Sequence, residues 1–291
     1  MKKINPVLLL TFLFVQGVSF AQEKEAKKED KPVLYPFESG LLIDEQTGQI
    51  PDARTFEVVI QHRFGTVKNG FSDLFGIYAP GANIRLGFNY VPLKNLQVGY
   101  GLTKINMTSD FQAKWNIIQQ TRSGRIPLTV TLFEDIGLDG RGKDDLGINY
   151  SFINRLSYYT EVIIGRKFTN WLSLQLQGSF THYNIVDENY DHERIGVGGS
   201  GRIKFSPQSS FIFQYNAPLN LSSMTKNTPE GNLSKANFGL GYEVSTYTHV
   251  FQIYFLNSTE ILPQANYLYN LNDFTKGDFL IGFTITRLWS F

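Results

Sequence analysis

Cysteine is absent from the 291 residues, which removes disulfides, thiolate metal sites and cysteine nucleophiles together. Helical periodicity is equally scarce: from Thr55 onward no stretch longer than a few residues repeats its apolar positions at helical spacing. An excess of charge is missing too. The 27 Lys and Arg nearly balance the 26 Asp and Glu, so nothing in the composition suggests nucleic acid as a partner. Near the amino terminus, the apolar run from Val7 to about Val15 is too short to span a bilayer as a helix. Three Met against 26 Gly and 14% aromatic residues suits many strands better than many helices.

What is present from Thr55 to Phe291 is alternation. Phe56, Val58, Ile60, His62 and Phe64 form one face of a first strand, with Glu57, Gln61 and Arg63 opposite. Further segments repeat the pattern, among them Phe111 to Ile117, Leu128 to Leu132 and Leu172 to Phe180. The last, Gly277 to Phe291, sets Phe279, Ile281, Phe283, Ile285, Trp289 and Phe291 against Gly282, Thr284, Thr286 and Ser290. Counted this way the chain has twelve strands, an even number. Connections around 91–95, 168–170, 206–209 and 245–248 are short, whereas 66–81, 134–154, 183–193, 218–234 and 257–276 are long. Short and long alternate, except around 104–108 and 119–126. A sandwich has no reason to segregate loop lengths in this way. The expected fold is therefore all-β: a closed antiparallel transmembrane β-barrel of about twelve strands over 55–291, with short periplasmic turns and long outer loops.

The chain ends on an aromatic strand that resembles the C-terminal signal strand of bacterial outer-membrane barrels, which makes Trp289 and Phe291 the candidate assembly signal. The amino terminus agrees with export. Lys2 and Lys3, the apolar run and Ser19-Phe20-Ala21 have the three parts of a secretory signal, so residues 1–21 are expected to be cleaved off. No Cys follows that site, which excludes a lipoprotein anchor. Loss of Lys2 and Lys3 leaves 25 basic against 26 acidic residues, a net charge near −1. Residues 22–54 read as a periplasmic piece: a charged tether to Pro32, then an irregular segment containing Pro36, Gly40, Gly48 and Pro51. In a barrel, residues 33–54 would lie in the periplasm or fold back into the lumen.

Charge placement follows the same phase. Glu57, Arg63, Arg85, Lys114, Glu161, Arg202, Lys204 and Glu243 fall on the polar face and are the candidate lumen-lining residues, five basic and three acidic. Arg166 and Arg287 fall on the apolar face near periplasmic strand ends, where a long side chain can snorkel. A ring of lumen charge can select ions, and the same charges can instead pair and plug a narrow barrel. Twelve strands sit between a filled interior and a water channel.

No catalytic constellation emerges. A twelve-stranded outer-membrane phospholipase needs a His and a Ser two residues apart on one strand, and Thr181-His182-Tyr183 and Thr248-His249-Val250 lack that Ser. The acidic runs Asp187 to Glu193 and Glu134 to Asp145 have the oxygen ligands for a divalent cation but not the spacing of a known calcium loop. No metal, cofactor or enzymatic activity is expected.

The motif His62-Arg63-Phe64-Gly65, with Phe37-Glu38-Ser39-Gly40 before it and Asp73-Leu74-Phe75-Gly76 after it, resembles a barrel family of Bacteroidota known as domain of unknown function family 5777. The resemblance extends over nearly all of the mature chain, including Val98-Gly99-Tyr100-Gly101. It implies the outer membrane and a barrel, and supplies no activity or catalytic residues. From the residues alone, Arg63 would centre a buried network near the outer end of the first strand, and Gly65 would permit the turn into the first long loop. Together these readings point to a porin-like channel for small polar solutes in the outer membrane of a Gram-negative cell. The alternative is a non-conducting barrel that docks a partner through its outer loops or N-terminal segment. The expected partners are outer-membrane lipid and, during insertion, the barrel-assembly machinery.

Overall fold

The computed structural model describes residues 30–291 except Tyr35, Ile148 and Asn149, so the signal peptide read at 1–21 lies outside the described residues. A short hairpin comes first, β1 (Leu41–Leu42) and β2 (Glu45–Gln46). Then come β3 (Thr55–Thr66), β4 (Asn83–Leu93), β5 (Leu96–Thr103), β6 (Ser109–Ile118), β7 (Thr129–Leu138) and β8 (Leu156–Lys167). The remaining strands are β9 (Leu172–Tyr183), β10 (Glu193–Lys204), β11 (Ser209–Leu219), β12 (Asn237–Ser245), β13 (His249–Leu256) and β14 (Leu280–Ser290). β3 to β14 form one closed barrel in which each strand pairs with its sequence neighbours and β14 closes on β3. At that seam Trp289 lies opposite Phe56 and Ser290 opposite Thr55. Closure gives every strand a hydrogen-bonded partner on both edges, which a sheet facing lipid requires.

Alternation in the sequence becomes inside and outside here. Leu86, Phe88, Phe111, Trp115, Leu176, Phe211 and Phe255 face outward as an exposed apolar belt, while Glu57, Gln61 and Arg63 on β3 are buried within the wall. The turns 94–95, 168–171, 205–208 and 246–248 gather at one end of the barrel together with the longer 119–128, and the long loops gather at the other. Arg166 and Arg287 lie on the outer face at the short-turn end, with their guanidinium groups 5.1 and 4.7 Å from the ring centres of Phe168 and Trp289. Stacking on an interfacial ring gives each charge a partner without drawing it into the hydrocarbon.

The observed elements depart from the sequence pattern in three places. β7 continues to Leu138, so Glu134 and Asp135 belong to a strand rather than to an acidic loop. Charge on both phases had the look of a loop, but Asp135 points into the lumen and Glu134 accepts a hydrogen bond from Thr160 Oγ1 at 2.7 Å. The final strand starts at Leu280, because Gly277 takes the left-handed conformation (φ 76°) that ends the preceding loop. The third is inside. Residues 37–49 occupy the lumen, the second of the two places expected for them, and the β13–β14 loop, read as a plain loop, contributes a helix, Pro263–Tyr269, which also enters it.

Candidate functional site in the filled lumen

The N-terminal insert is held by side chains from the surrounding strands. Leu41 pairs with Gln46 and Leu42 with Glu45, which leaves Ile43 and Asp44 as a two-residue tip, with Ile43 at φ 57°. A β-branched residue rarely adopts that conformation. It is fixed here from outside the hairpin: Gln252 Oε1 accepts from Ile43 N–H at 3.1 Å, and Gln214 Oε1 accepts from Asp44 N–H at 2.8 Å. Gln252 also donates to Leu41 O at 2.9 Å. Further down, Asn116 donates to Gly48 O at 2.9 Å and Gln175 to Gln46 O at 2.6 Å. Buried backbone groups that lack a full ladder thus find partners on the wall, as they must in a dry interior.

Charge does the same work. Arg63 is fully buried and pairs with Asp44, and its other terminal nitrogen donates to Ser258 O at 2.9 Å and to Glu260 O. One guanidinium therefore joins the insert to the β13–β14 loop. Asp44 also accepts from Gln214 at 3.2 Å and from Asn237 at 2.8 Å. Lys114 donates to Gly40 O at 2.9 Å and Gln46 Oε1 at 3.1 Å. Arg202 and Lys204 clasp Glu38 at 2.7 and 2.8 Å. Burial would raise the Glu38 carboxyl, but the two cations outweigh it and hold it below its ordinary value. Glu45, on the hairpin, takes hydrogen bonds from Gln177 and Asn216, yet burial, reinforced by the neighbouring Glu161, pushes its carboxyl well above the ordinary range.

The other lumen candidates lie against the wall. Asn89 and Gln97 donate to Glu57 at 2.8 and 2.9 Å, Gln252 donates to Glu243 at 2.9 Å, and Arg85 grips Asp110 at 2.9 and 2.5 Å. Asp110 and Asp135 are inward carboxylates that the sequence reading missed; both stand on the polar phase of their strands. They cancel the basic excess expected from the strands, five basic now facing five acidic residues, and Glu38, Asp44 and Glu45 of the insert add acidic charge to that.

Two apolar patches on the inner wall mark where the inserts rest. Ile212, Tyr254, Leu256 and Leu280 pack with Phe37, Leu42 and Ile43. Phe133 and Tyr159 pack with Tyr267 of the loop helix, whose ring stacks on Tyr159 with centres 6.0 Å apart. A β-carbon at Gly196 would overlap the Tyr267 ring, so the wall is bare of side chain where the helix enters. In the His-Arg-Phe-Gly motif, His62 and Phe64 turn outward, His62 stacking on Phe283 at 5.2 Å, while only Arg63 turns inward. Gly65 lies inside β3 and makes no turn. A side chain there would collide with Ala79 and Pro80 of the first long loop.

The histidines take ordinary roles. His182 lies 3.4 Å from Glu193, His192 Nδ1 donates to Tyr183 O at 2.7 Å, and His249 shares a hydrogen bond with Thr248 at 3.0 Å. Asp191, from the acidic run 187–193, accepts from Asn227 and Thr228 side chains at 2.9 Å each.

A membrane barrel is also what the family comparison returns: the sequence profile of the membrane bound beta barrel domain (DUF5777) matches residues 37–289. The chain belongs to that family. The match begins at Phe37, so the luminal insert is part of the family domain and not an appendage to it. No curated protein matches the sequence. Among solved structures, the NanC porin is 10% identical with a TM-score of 0.49, over 81% of this chain and 99% of the porin. An outer membrane channel from Pseudomonas putida F1 is 11% identical with a TM-score of 0.49, over 83% and 97%. LpxR from Salmonella typhimurium is 11% identical with a TM-score of 0.38, over 81% and 100%. These are distant likenesses between barrels, and nothing about the present lumen follows from them.

Proposed function

We propose that the protein is an outer-membrane passage of porin-like type for small polar solutes, kept shut by residues 37–49, and that it reaches that membrane after cleavage of residues 1–21. The observation that carries this is the way the insert is held. Apart from one apolar edge, its contacts are hydrogen bonds and ion pairs to Gln, Asn, Arg, Lys, Ser and Thr side chains of the wall. Each of those groups can turn to water if the insert withdraws, and the lumen left behind is polar. The chemistry supports transport and gating rather than catalysis.

The absence of cysteine makes the gate testable with one engineered pair. Ser39 Oγ and Thr286 Oγ1 are 3.3 Å apart, within reach of a disulfide in the variant Ser39→Cys/Thr286→Cys. In planar bilayers, the chain lacking residues 37–49 is expected to conduct. The disulfide variant is expected to stay closed when oxidised and to match the unmodified protein when reduced. A folded protein without 37–49 that never conducts would favour the non-conducting barrel.

A further inference from the structure

A second concave site lies at the long-loop mouth of the barrel. The outer ends of β5, β8 and β9 and the loops above them enclose a cavity of about 370 Å³, closed below by the β13–β14 loop and its helix. That volume falls within the range of small-molecule sites. Its charge is one-sided. Asp139 is consumed by Arg141, whose Nε and Nη2 reach it at 3.0 and 2.6 Å. Arg155 spends its donors on Asp139 O at 2.7 Å, Arg141 O at 2.6 Å and Tyr150 Oη at 2.7 Å, and neutralises no carboxylate. Three further carboxylates line the cavity, Asp145, Asp187 and Glu260, and none has an ion-pair partner within 4.0 Å among the described residues.

Two independent features show that this is more than an acidic surface. Thr103 lines the cavity with only 6% of its surface exposed, and its Oγ1 has no hydrogen-bond partner among the described residues. Such a group is costly to bury unless something completes it. Tyr183 and Tyr269 also face the space, edge to face with ring centres 5.5 Å apart, a surface suited to an organic cation. The carboxylates do not converge as a metal would need: no group of three acidic or His side chains among the described residues could hold one ion. Between them Ile105, Leu262 and Ala265 supply apolar lining, set among the polar side chains of Asn106, Thr108, Asn154 and Ser157.

We infer that this outer cavity binds a short linear amine with two or more ammonium groups, its charges on the separated carboxylates and its alkyl chain against the apolar lining and the tyrosines. Its floor belongs to the β13–β14 loop, so occupancy bears directly on that loop.

Titration calorimetry of the full chain in detergent micelles tests this, with cadaverine and spermidine as probes and glutarate as a dianion of similar length. Both amines are expected to bind, more weakly at high salt, and glutarate is not. In the variant Asp145→Asn/Asp187→Asn, which alters exposed loop carboxylates only, affinity is expected to fall about three- to tenfold. The proposal is overturned if neither amine binds, if glutarate binds as well as they do, or if the variant binds them unchanged. Calorimetry needs no conductance and the bilayer measurement needs no amine, so either reading can fail alone.

Discussion

Arg63 is the residue on which both inserts converge, and its shape explains why a lysine would not serve. Its terminal nitrogens point to two partners, Asp44 in the hairpin and the carbonyls of Ser258 and Glu260 in the loop. A single ammonium on a flexible stem cannot hold both in fixed geometry. Removing the guanidinium leaves Asp44 buried with only the amides of Gln214 and Asn237, and an uncompensated buried charge costs about 3–5 kcal/mol. Arg63→Ala is therefore expected to raise hydrogen exchange at the Ile43 and Asp44 amides by at least about a hundredfold, with Arg63→Lys in between. Unchanged exchange in Arg63→Ala would show that the hairpin is held elsewhere. Gly196 gives the matching test for the helix. Gly196→Val places a branched side chain in the volume of the Tyr267 ring, an overpacking that costs roughly 1–3 kcal/mol. Exchange over 263–269 is expected to quicken while the hairpin amides stay protected.

At the scale of the element, the hairpin carries its own response to pH. Glu45 sits against Glu161, between Gln177 and Asn216, with Lys114 beyond, and its carboxyl lies well above the ordinary 4.5 when docked, first through burial and then through Glu161. The docked hairpin thus holds a proton that the withdrawn hairpin releases, so docking is firmest below about pH 4.5 and weakens as pH rises towards the elevated value. Limited proteolysis of 37–49 should accelerate as pH rises above about 4.5, and Glu45→Gln should flatten that dependence. A profile unaltered by Glu45→Gln would place the titrating group elsewhere. The hairpin also shows what the sequence conceals. Strand alternation is local, so the barrel and its inward charges could be read from periods of two. The insert's two-residue strands are too short to show a period, and Asp44 is meaningful only once Arg63 is beside it. A trace existed on the wall: Val59, Phe133, Ile163 and Ile212 are apolar residues on the polar phase, and all are buried. Apolar groups facing a supposed aqueous lumen imply something packed against them. The seven-residue helix left less, since Pro263–Tyr269 is too short for a helical face to stand out from a loop.

Across the whole molecule, wall and filling meet with opposite charge, and that predicts what an opened barrel selects. Asp44 faces Arg63, and Glu38 faces Arg202 and Lys204, while Lys114 holds only neutral oxygens of Gly40 and Gln46. Withdrawing residues 37–49 strips all four cations of these partners. Of the wall's own carboxylates, Asp110 remains neutralised by Arg85, and Glu57 stays bonded to Asn89 and Gln97. The vacated lumen therefore sets four freed cations against Glu57, Asp135, Glu161 and Glu243, equal in number, but Arg202 and Lys204 stand together as a local cluster, and a constriction lined by such a cluster favours anions. In the chain lacking 37–49, the reversal potential under a KCl gradient should show a modest chloride preference. Arg202→Gln/Lys204→Gln in the same background should move it towards zero, because those two residues supply the cationic cluster nearest the short-turn end. A potassium preference would mean that Glu161, Glu243 and Asp135 dominate the open state, and that the insert's acidic groups do not set the charge of the closed one.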